Sequence, residues 1–399
     1  MNIFVINSGS SSIKYQLFKM PSSSPVCSGL VDRIGLENST ITHKTYINGE
    51  EKVFNYKPDV PDHETGLKQV DLLLTDKTIG VIKNTDEVKV VGHRIVHGGE
   101  IFTTITIIDA EVKGKLKQTF QLAPLHNPSA FHGIEVAEKI FSKAKQVAVF
   151  DTAFHQTMPA KAYRFAIPNN YYTDLNIRVY GFHGTSHKYV THKAAEYLNK
   201  SGLKLISIHL GNGCSMAAVN DGKSVDTSMG FGPLSGLIMG TRPGDIDPTV
   251  IFYLVNQLGY DIEQVGNLLN KRSGMLGLTG FSDMRDIRKA IKEGDTTAKL
   301  AYDMYAYRIK KYIGAYAAIL NGLDAVIFTA GVGENDALMR EMVCNDMEYI
   351  GLSLNLDKNN ESSNGIREIN QSGYKVKILV VPTNEELEIA NQCFELLKS

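Results

Sequence analysis

Apolar and polar residues are distributed along this chain in two rounds of the same pattern. Residues 2–6 form an apolar run, a glycine- and serine-rich stretch follows, and a second apolar run starts at Ile13, which predicts a β-hairpin over residues 1–20. Residues 21–65 are polar with short alternating stretches such as 41–46, which predict short surface strands. Helical periodicity marks residues 66–83 and 129–143, and strand patterns mark 88–95 and 146–150. Then the pattern restarts. A helix is predicted from His183 to about Asn199, a strand over 204–209, a turn at Asn220-Asp221-Gly222, and a strand over 224–228. Helices follow at 248–258, 262–270, 284–293 and 296–320, strands at 325–329 and 376–381, and a last helix at 385–398. Each half has hairpin strands first and helix–strand alternation after. That predicts a duplicated α/β chain with mixed sheets flanked by helices, a boundary near Asp151, and a ligand site in the cleft between the halves.

The two hairpin tips are related. The first reads Ile6-Asn7-Ser8-Gly9-Ser10-Ser11-Ser12-Ile13-Lys14 and the second Ile208-His209-Leu210-Gly211-Asn212-Gly213-Cys214-Ser215-Met216. Such bare tips can turn backbone N–H groups and hydroxyls toward an anion, phosphate above all. Two of them facing each other would clamp a polyphosphate.

Bulk properties narrow the options. The chain has 399 residues, 43% of them hydrophobic and 21% charged, which suits a two-domain globular protein. With 42 Lys and Arg against 43 Asp and Glu, the net charge of −1 gives no electrostatic attraction to nucleic acid or an acidic membrane. An anion must therefore be held by local groups. Cys27, Cys214, Cys344 and Cys393 are dispersed, with no CxxC pair, and read as free thiols of a cytoplasmic protein. The opening residues are strand-like rather than a signal peptide. The apolar window 312–332 is broken by Asn321, Gly322 and Asp324, so no membrane span is expected.

Several familiar motifs fail. Residues 217–224 resemble a P-loop without its first glycine, and they lie between two strands. Gly331-Val332-Gly333-Glu334-Asn335-Asp336 lacks the third glycine of a dinucleotide fingerprint. His93 with His97 and His183 with His187 have i, i+4 spacing, but neither pair lies on a predicted helix face fit for zinc. Other residues are better placed for chemistry. Arg242 lies in a loop fixed by Pro243, Gly244 and Pro248. Arg94 lies at a strand end just before Gly98-Gly99. A guanidinium offers carboxylate or phosphate a planar fork. Asp151 ends a strand, where it could be catalytic or a helix cap. Residues 328–335 run from a strand into a bare turn open to a flat or anionic ligand. Residues 382–386 place acids at a helix start, for capping or for a metal.

Together these segments closely resemble the acetokinase family, within the acetate and sugar kinase/Hsp70/actin superfamily. The resemblance runs from Asn7 to Glu386. It rests on NSGSSSIKY at 7–15, GHRIVHGG at 92–99, APLHNP at 123–128, FDTAFH at 150–155, GFHGTSH at 181–187, HLGNG at 209–213, TRPGDIDP at 241–248, SDMR at 282–285, AGVGEN at 330–335 and PTNEE at 382–386. It implies a duplicated actin-like (ribonuclease H-like) fold with the active site in the interdomain cleft. Residues 1–150 with about 386–399 would be the acceptor-side domain and its closing helix, and 151–385 the nucleotide-binding domain. The implied reaction is reversible transfer of the ATP γ-phosphoryl group to acetate with Mg²⁺, for which Mn²⁺ can substitute, in a homodimer.

Carried over by position, the resemblance implies Asn7 and Glu385 as the metal site. Lys14 and His209, Leu210, Gly211, Asn212 and Gly213 would contact phosphate. Asp283, Met284 and Arg285 with Gly331, Val332, Gly333, Glu334 and Asn335 would form the adenosine pocket. Arg94 would take the substrate carboxylate, Asp151 would be the acid/base, His183 and Arg242 would stabilise the transition state, and His126 would belong to the active site. Val96, Leu125, Phe182 and Pro233 would surround the acyl methyl group. Propionate kinase is the runner-up, because one methylene in such a pocket is worth only about 1–3 kcal/mol. A nucleotide-gated switch would not need a second arginine and a closed acceptor pocket. A sugar kinase would need polar groups at those four apolar positions.

Overall fold

The computed structural model describes residues 1–47 and 49–398. Asn48, within the predicted surface strands, and Ser399, at the end of the predicted closing helix, lie outside the described residues. The chain divides into two compact units, Met1–Phe154 together with the segment from Asn384, and His155–Thr383.

The first unit is built on an eight-stranded sheet. Its strands are β1 (Asn2–Ser8), β2 (Ser12–Lys19), β3 (Pro25–Asp32), β4 (Thr40–Ile47), β5 (Glu50–Tyr56), β6 (Val88–Ile95), β7 (Thr106–Ile107) and β8 (Lys145–Phe150). Their order is β5-β4-β3-β2-β1-β6-β8-β7. β1 to β5 form an antiparallel meander, while β6 runs parallel to both β1 and β8. The central strands are apolar throughout because both faces are covered. Ile3, Phe4, Val5 and Ile6 of β1 are all buried. One face carries a core of Phe4, Ile6, Tyr15, Leu17, Val70, Leu74 and Phe141 among others. The closing helix, Glu385–Lys398, packs on β1 and β6. Gly92 makes that packing possible, since a Cβ there would lie 2.8 Å from Ile389 Cγ2 and 3.0 Å from Cys393 Sγ.

The second unit repeats the plan. β9 (Lys204–Leu210), β10 (Cys214–Asn220), β11 (Lys223–Thr227), β12 (Ala325–Thr329), β13 (Arg367–Glu368) and β14 (Lys377–Val380) are ordered β11-β10-β9-β12-β14-β13. β9 pairs antiparallel with β10 and parallel with β12, and β12 pairs parallel with β14. So β3-β2-β1-β6-β8 and β11-β10-β9-β12-β14 are topological equivalents, and the duplication expected from the sequence pattern is present in the chain. Both tips are hairpin ends, closed by Gly9 N–H donating to Ser12 O at 2.8 Å and Gly211 N–H to Gly213 O at 3.1 Å.

Local chemistry moves some boundaries. The helix expected over 66–83 spans His63–Thr75. It starts early because the Asp62 carboxylate accepts from the Thr65 amide. It stops because Asp76 is extended and its carboxylate accepts from the amides of Thr78 and Ile79, which turns the chain. The helix expected over 129–143 is Asn127–Ile140, with Pro128 in the first turn, where its missing N–H costs nothing. Residues 330–335, expected as a bare turn before a helix, are themselves a short helix ahead of the helix Ala337–Cys344, and Ala110–Gln118 is a helix that the hydrophobic pattern does not announce. All four cysteines are buried free thiols, and among the described residues no helix is long and apolar enough to cross a membrane.

Burial leaves one titration written into the second unit. Asp226, on β11, has its carboxyl pushed up to about 6 by burial, against the pull of the Thr227 amide that it accepts from. A folded-state value raised above the unfolded one favours the protonated form. The stabilisation is therefore complete below about pH 4, the ordinary carboxyl value, and is lost as pH rises through about 6. Asp226→Asn keeps the acceptor oxygen and removes the charge. It should raise Tm at pH 8 and leave it nearly unchanged at pH 4 in calorimetry. A Tm increment equal at both pH values would contradict this account.

Candidate active site

The first unit collects charge at the carboxyl ends of its parallel strands. In register, Ile6 pairs with His93 and Ile95 with Phe150, so Asn7, Arg94 and Asp151 sit at the ends of three neighbouring strands. This is where open α/β sheets place ligands. The Asp151 amide donates to Ile95 O at 2.9 Å and closes the strand end. The Asp151 carboxylate is 1% exposed and accepts two N–H groups of Arg94, from Nε at 3.1 Å and from Nη2 at 2.7 Å. That bidentate pair uses the side edge of the guanidinium and leaves its Nη1–Nη2 edge for another oxyanion.

Glu385 opens the closing helix and lies 3.7 Å from Arg94 Nε. Asn384 accepts from the Leu387 amide, so it serves as the cap and the two acids are left for other work. Glu386, nearly buried, takes Lys14 Nζ at 2.6 Å. Burial pushes the Glu385 carboxyl up, Asp151 and Glu386 add to this, and Arg94 and Lys14 oppose it. Burial disfavours the Arg94 charge, but Asp151 and Glu385 outweigh it and the guanidinium is held more firmly protonated than usual. His126 and Leu125 are exposed at the start of the helix Asn127–Ile140, and Val96 is half-buried just beyond β6.

In the second unit the tip at 211–213 lies against a guanidinium and an imidazole. A Cβ on Gly213 would come 2.7 Å from Arg242 Nη2 and 3.3 Å from His183 Nε2, so glycine is what lets both groups lie on the tip. His183 precedes the helix Gly184–Leu198 in the left-handed conformation, φ 54°, uncommon for a residue with a side chain. Its ring stacks on His209 with centroids 4.3 Å apart. Behind it, Ser215 Oγ stands 2.9 Å from His183 Nδ1 and 2.8 Å from His187 Nε2, and His187 Nδ1 stands 2.8 Å from Ser207 Oγ. His187 is fully buried. Burial, helped by His155 and His209, lowers it well below the ordinary imidazole value, so it is a neutral support. His209 Nδ1 lies 2.8 Å from Ser186 Oγ, which meets Thr383 Oγ1. Leu210 is buried under the tip.

Arg242 is held by a stitched loop. Its carbonyl accepts from the Met239 amide, and Gly240 N–H donates to Asn212 O. Its Nη1 donates to Pro233 O at 2.5 Å. Among the described residues it makes no ion pair, and burial lowers its pKa without any carboxylate to oppose it. A half-buried guanidinium without an acid is ready to receive an anion. Phe182, 2% exposed, gives its carbonyl to His155 Nε2.

Beside the tip is a cavity of about 490 Å³, lined by Gly211, Asn212, Asp283, Met284, Arg285, Gly331, Val332 and Asn335. That size suits a small-molecule ligand. Met275, Ser282, Arg288 and Tyr305 also line it, although the sequence reading gave them no role; of these only Ser282 fell inside a quoted motif. Asp283 caps the helix Met284–Lys292 and is gripped by Arg285, so its carboxylate is engaged within the chain. Gly333 and Glu334 do not line this cavity. Gly333 packs beneath Phe328, and the Glu334 carboxylate accepts from the Thr383 amide.

Comparison with known proteins identifies the family. The Acetokinase family profile matches residues 2–391. The chain belongs to the acetokinase family. It is 58% identical to the acetate kinase of Flavobacterium johnsoniae over 399 residues, covering 100% of both chains. It superposes on the Porphyromonas gingivalis acetate kinase crystal structure with a TM-score of 0.92, at 43% identity and 99% coverage of both chains. A propionate kinase from Francisella tularensis gives 0.90 at 40% identity and 98% coverage of both. This acetokinase therefore has the mixed α/β fold of that family.

Gly213→Ala tests the crowding at the tip. The added methyl meets the far end of a flexible side chain, so the fold should survive while the guanidinium shifts. A displacement of that kind costs kcat about 10²-fold. We expect that loss in a steady-state assay with Tm kept within about 2 °C, a change on the order of 1 kcal/mol or less for a chain of this size. Unchanged kcat would remove Arg242 from the chemistry.

Proposed function

We infer that this chain is a carboxylate phosphotransferase that moves the γ-phosphoryl group of ATP to acetate, giving acetyl phosphate and ADP, and that catalyses the reverse. The observation that carries the mechanism is Arg242, half-buried and without a carboxylate partner, against the Gly213 tip and beside His183. A transferring phosphoryl group spreads charge over its equatorial oxygens, and fixed cationic donors in a dry site lower that barrier most effectively. The nucleotide occupies the cavity beside Gly211 and Asn212, where the Asn212 amide is a donor to its phosphates. Asp283, Met284, Arg285, Gly331, Val332 and Asn335 surround the adenosine.

Acetate is already ionised at neutral pH, its pKa being close to the carboxyl reference of about 4. In the forward reaction one P–O bond to ADP breaks and one P–O bond to acetate forms, with no proton to remove. We therefore assign Asp151 a positioning role. It holds the side edge of Arg94 and leaves the Nη1–Nη2 edge for the acetate carboxylate. Val96, Leu125, Phe182 and Pro233 set the length of the acyl chain, and His126 belongs to the same acceptor site.

Asn7 and Glu385 suit magnesium, since a neutral amide oxygen and a carboxylate are hard donors, few enough to leave places for water and phosphate. When bound, the ion neutralises phosphate charge. No group of three or more His, Cys, Asp or Glu stands ready for a tighter site among the described residues. Lys14, paired with Glu386, serves the phosphates as a point charge. We further propose a cytoplasmic homodimer. The helix Pro248–Asn256 exposes the side chains of Val250, Phe252 and Tyr253, apolar surface that a second copy would cover, and light scattering reads that mass directly.

The reaction is tested by trapping acyl phosphate with hydroxylamine from ATP and acetate. Hydroxamate is expected, and its absence with folded protein would overturn the assignment. kcat/KM should fall from acetate to propionate to butyrate; a preference for propionate would move the chain to propionate kinase. Arg94→Ala removes the bidentate partner of the buried Asp151 carboxylate and the open guanidinium edge together. We expect kcat/KM for acetate to fall at least about 10²-fold, with nucleotide affinity within about twofold of wild type by calorimetry. A variant that binds acetate normally would remove Arg94 from the acceptor site.

A further inference from the structure

A second cavity, of about 340 Å³, lies within the second unit, walled by Arg340, Arg367, Asn359 and the exposed loop at 362–364. Asn335 lines both this cavity and the larger one. Arg340 is 2% exposed, yet its hydrogen bonds all go to neutral acceptors. Its Nε donates to Asn359 Oδ1, its Nη2 to Asn359 O, and its Nη1 to the carbonyls of Gly333 and Glu334. Arg367 Nη2 donates to the same Glu334 carbonyl at 3.2 Å, and its Nη1 donates to Glu361 O. The Arg367 Nε is buried with no hydrogen-bond partner.

Neither guanidinium has a carboxylate within 4.0 Å among the described residues. Asp336, the acid that attracts Arg340, is committed to Arg288 at 3.1 Å and Tyr302 at 2.7 Å. Glu361 lines the cavity but offers Arg367 its carbonyl. Two guanidinium groups thus converge on one carbonyl and repel each other, and both residues line an open space. Burial and the neighbouring Arg367 also lower Arg340 to about 10, a cost that a bound anion would relieve. Arginine's fork geometry suits a phosphoryl group, and Ser362, Ser363 and Asn364 suit hydroxyls on a small carrier.

We propose that this cavity binds a phosphoryl group, free or on a small hydroxylated ester, and that its occupancy strengthens nucleotide binding through the Gly333–Asn335 segment. The bound anion offsets the repulsion between Arg340 and Arg367 and so steadies their joint hold on the Glu334 carbonyl. By linkage, nucleotide strengthens anion binding by the same factor, on the order of fivefold. The coupling rests on the larger cavity holding nucleotide; the anion site itself does not.

The test is calorimetric titration of the full chain with inorganic phosphate and with glycerol 3-phosphate. Each is run with and without a saturating non-hydrolysable ATP analogue, which also occupies the first phosphate site. One equivalent of either probe should bind in the presence of the analogue, and the tighter of the two identifies the source. Arg367→Gln should weaken it at least about tenfold without changing analogue affinity measured alone. Ser363→Asp, on the exposed loop, should do the same by charge repulsion and covers the case in which Arg367→Gln misfolds. No binding of either probe in the presence of the analogue, or binding unchanged in Ser363→Asp, overturns the site. Analogue affinity indifferent to a bound probe overturns the coupling. Failure of the analogue itself to bind would instead count against the nucleotide reading.

Discussion

Asp151 is a carboxylate buried almost completely at the end of a central strand, and the two-point grip of Arg94 helps to make its charge tolerable there. That grip depends on the sheet. β6 and β8 run parallel in a register that sets Arg94 opposite Val149 and lets Asp151 hydrogen-bond back to Ile95. A shift of one residue in either strand would turn one of the two side chains to the opposite face. The closing helix then delivers Glu385 and Glu386 to the same strand ends, where Arg94 and Lys14 receive them. Gly92 fixes how closely that helix can lie. Charge pairing at the acceptor site is thus a consequence of sheet register and helix packing.

The second unit answers the same burial problem differently. Arg242 has no acid, and its loop is stitched to the tip and to the helix Gly274–Thr279 by backbone hydrogen bonds, with Met275 and Leu276 donating to Met239 and Gly240. The scaffold holds the side chain in place of a counter-ion. His183 is similarly fixed by its left-handed backbone, by stacking on His209 and by the Ser215 hydroxyl, which is backed by neutral His187. Positions fixed in this way lose little further entropy when an anion arrives, which is the advantage of preorganised donors.

Much of this was legible in the sequence, for identifiable reasons. The apolar runs of β1, β9 and β12 are continuous because both faces are buried, and the tips stand out because glycine and serine interrupt strong strand patterns. Side chains that act through sequence-distant partners were less legible. Lys14 read as a phosphate contact, while its pairing with Glu386 joins residues more than 370 positions apart. Arg94 read as a carboxylate fork, while one of its edges belongs to Asp151. Ser215 lay in the second tip and His187 in the GFHGTSH segment, but neither announced their contact, because a hydroxyl between two imidazoles is a tertiary fact. The helix at 63–75 was misplaced because Asp62 and Asp76, rather than hydrophobic period, set its ends. The segment 330–335 read as a bare turn because its glycines obscure a helix that begins with Ala330 at φ 63°.

The contrast between the two arginines bears on how the reaction divides between the units. Arg94, neutralised on one edge by a carboxylate, suits a small monoanion that must bind, react and leave. A fully uncompensated guanidinium would hold acetate or acetyl phosphate more tightly than turnover allows. Arg242 lacks such compensation, which suits charge that grows only as the phosphoryl group passes between oxygens. Stabilising that growth raises the rate, whereas equal affinity for ground and transition states would not. On the proposed reading, Asp151 positions Arg94 and needs no acid/base role. With acetate already ionised, the difficulty lies in bringing anions together, and both units are arranged around that electrostatic problem.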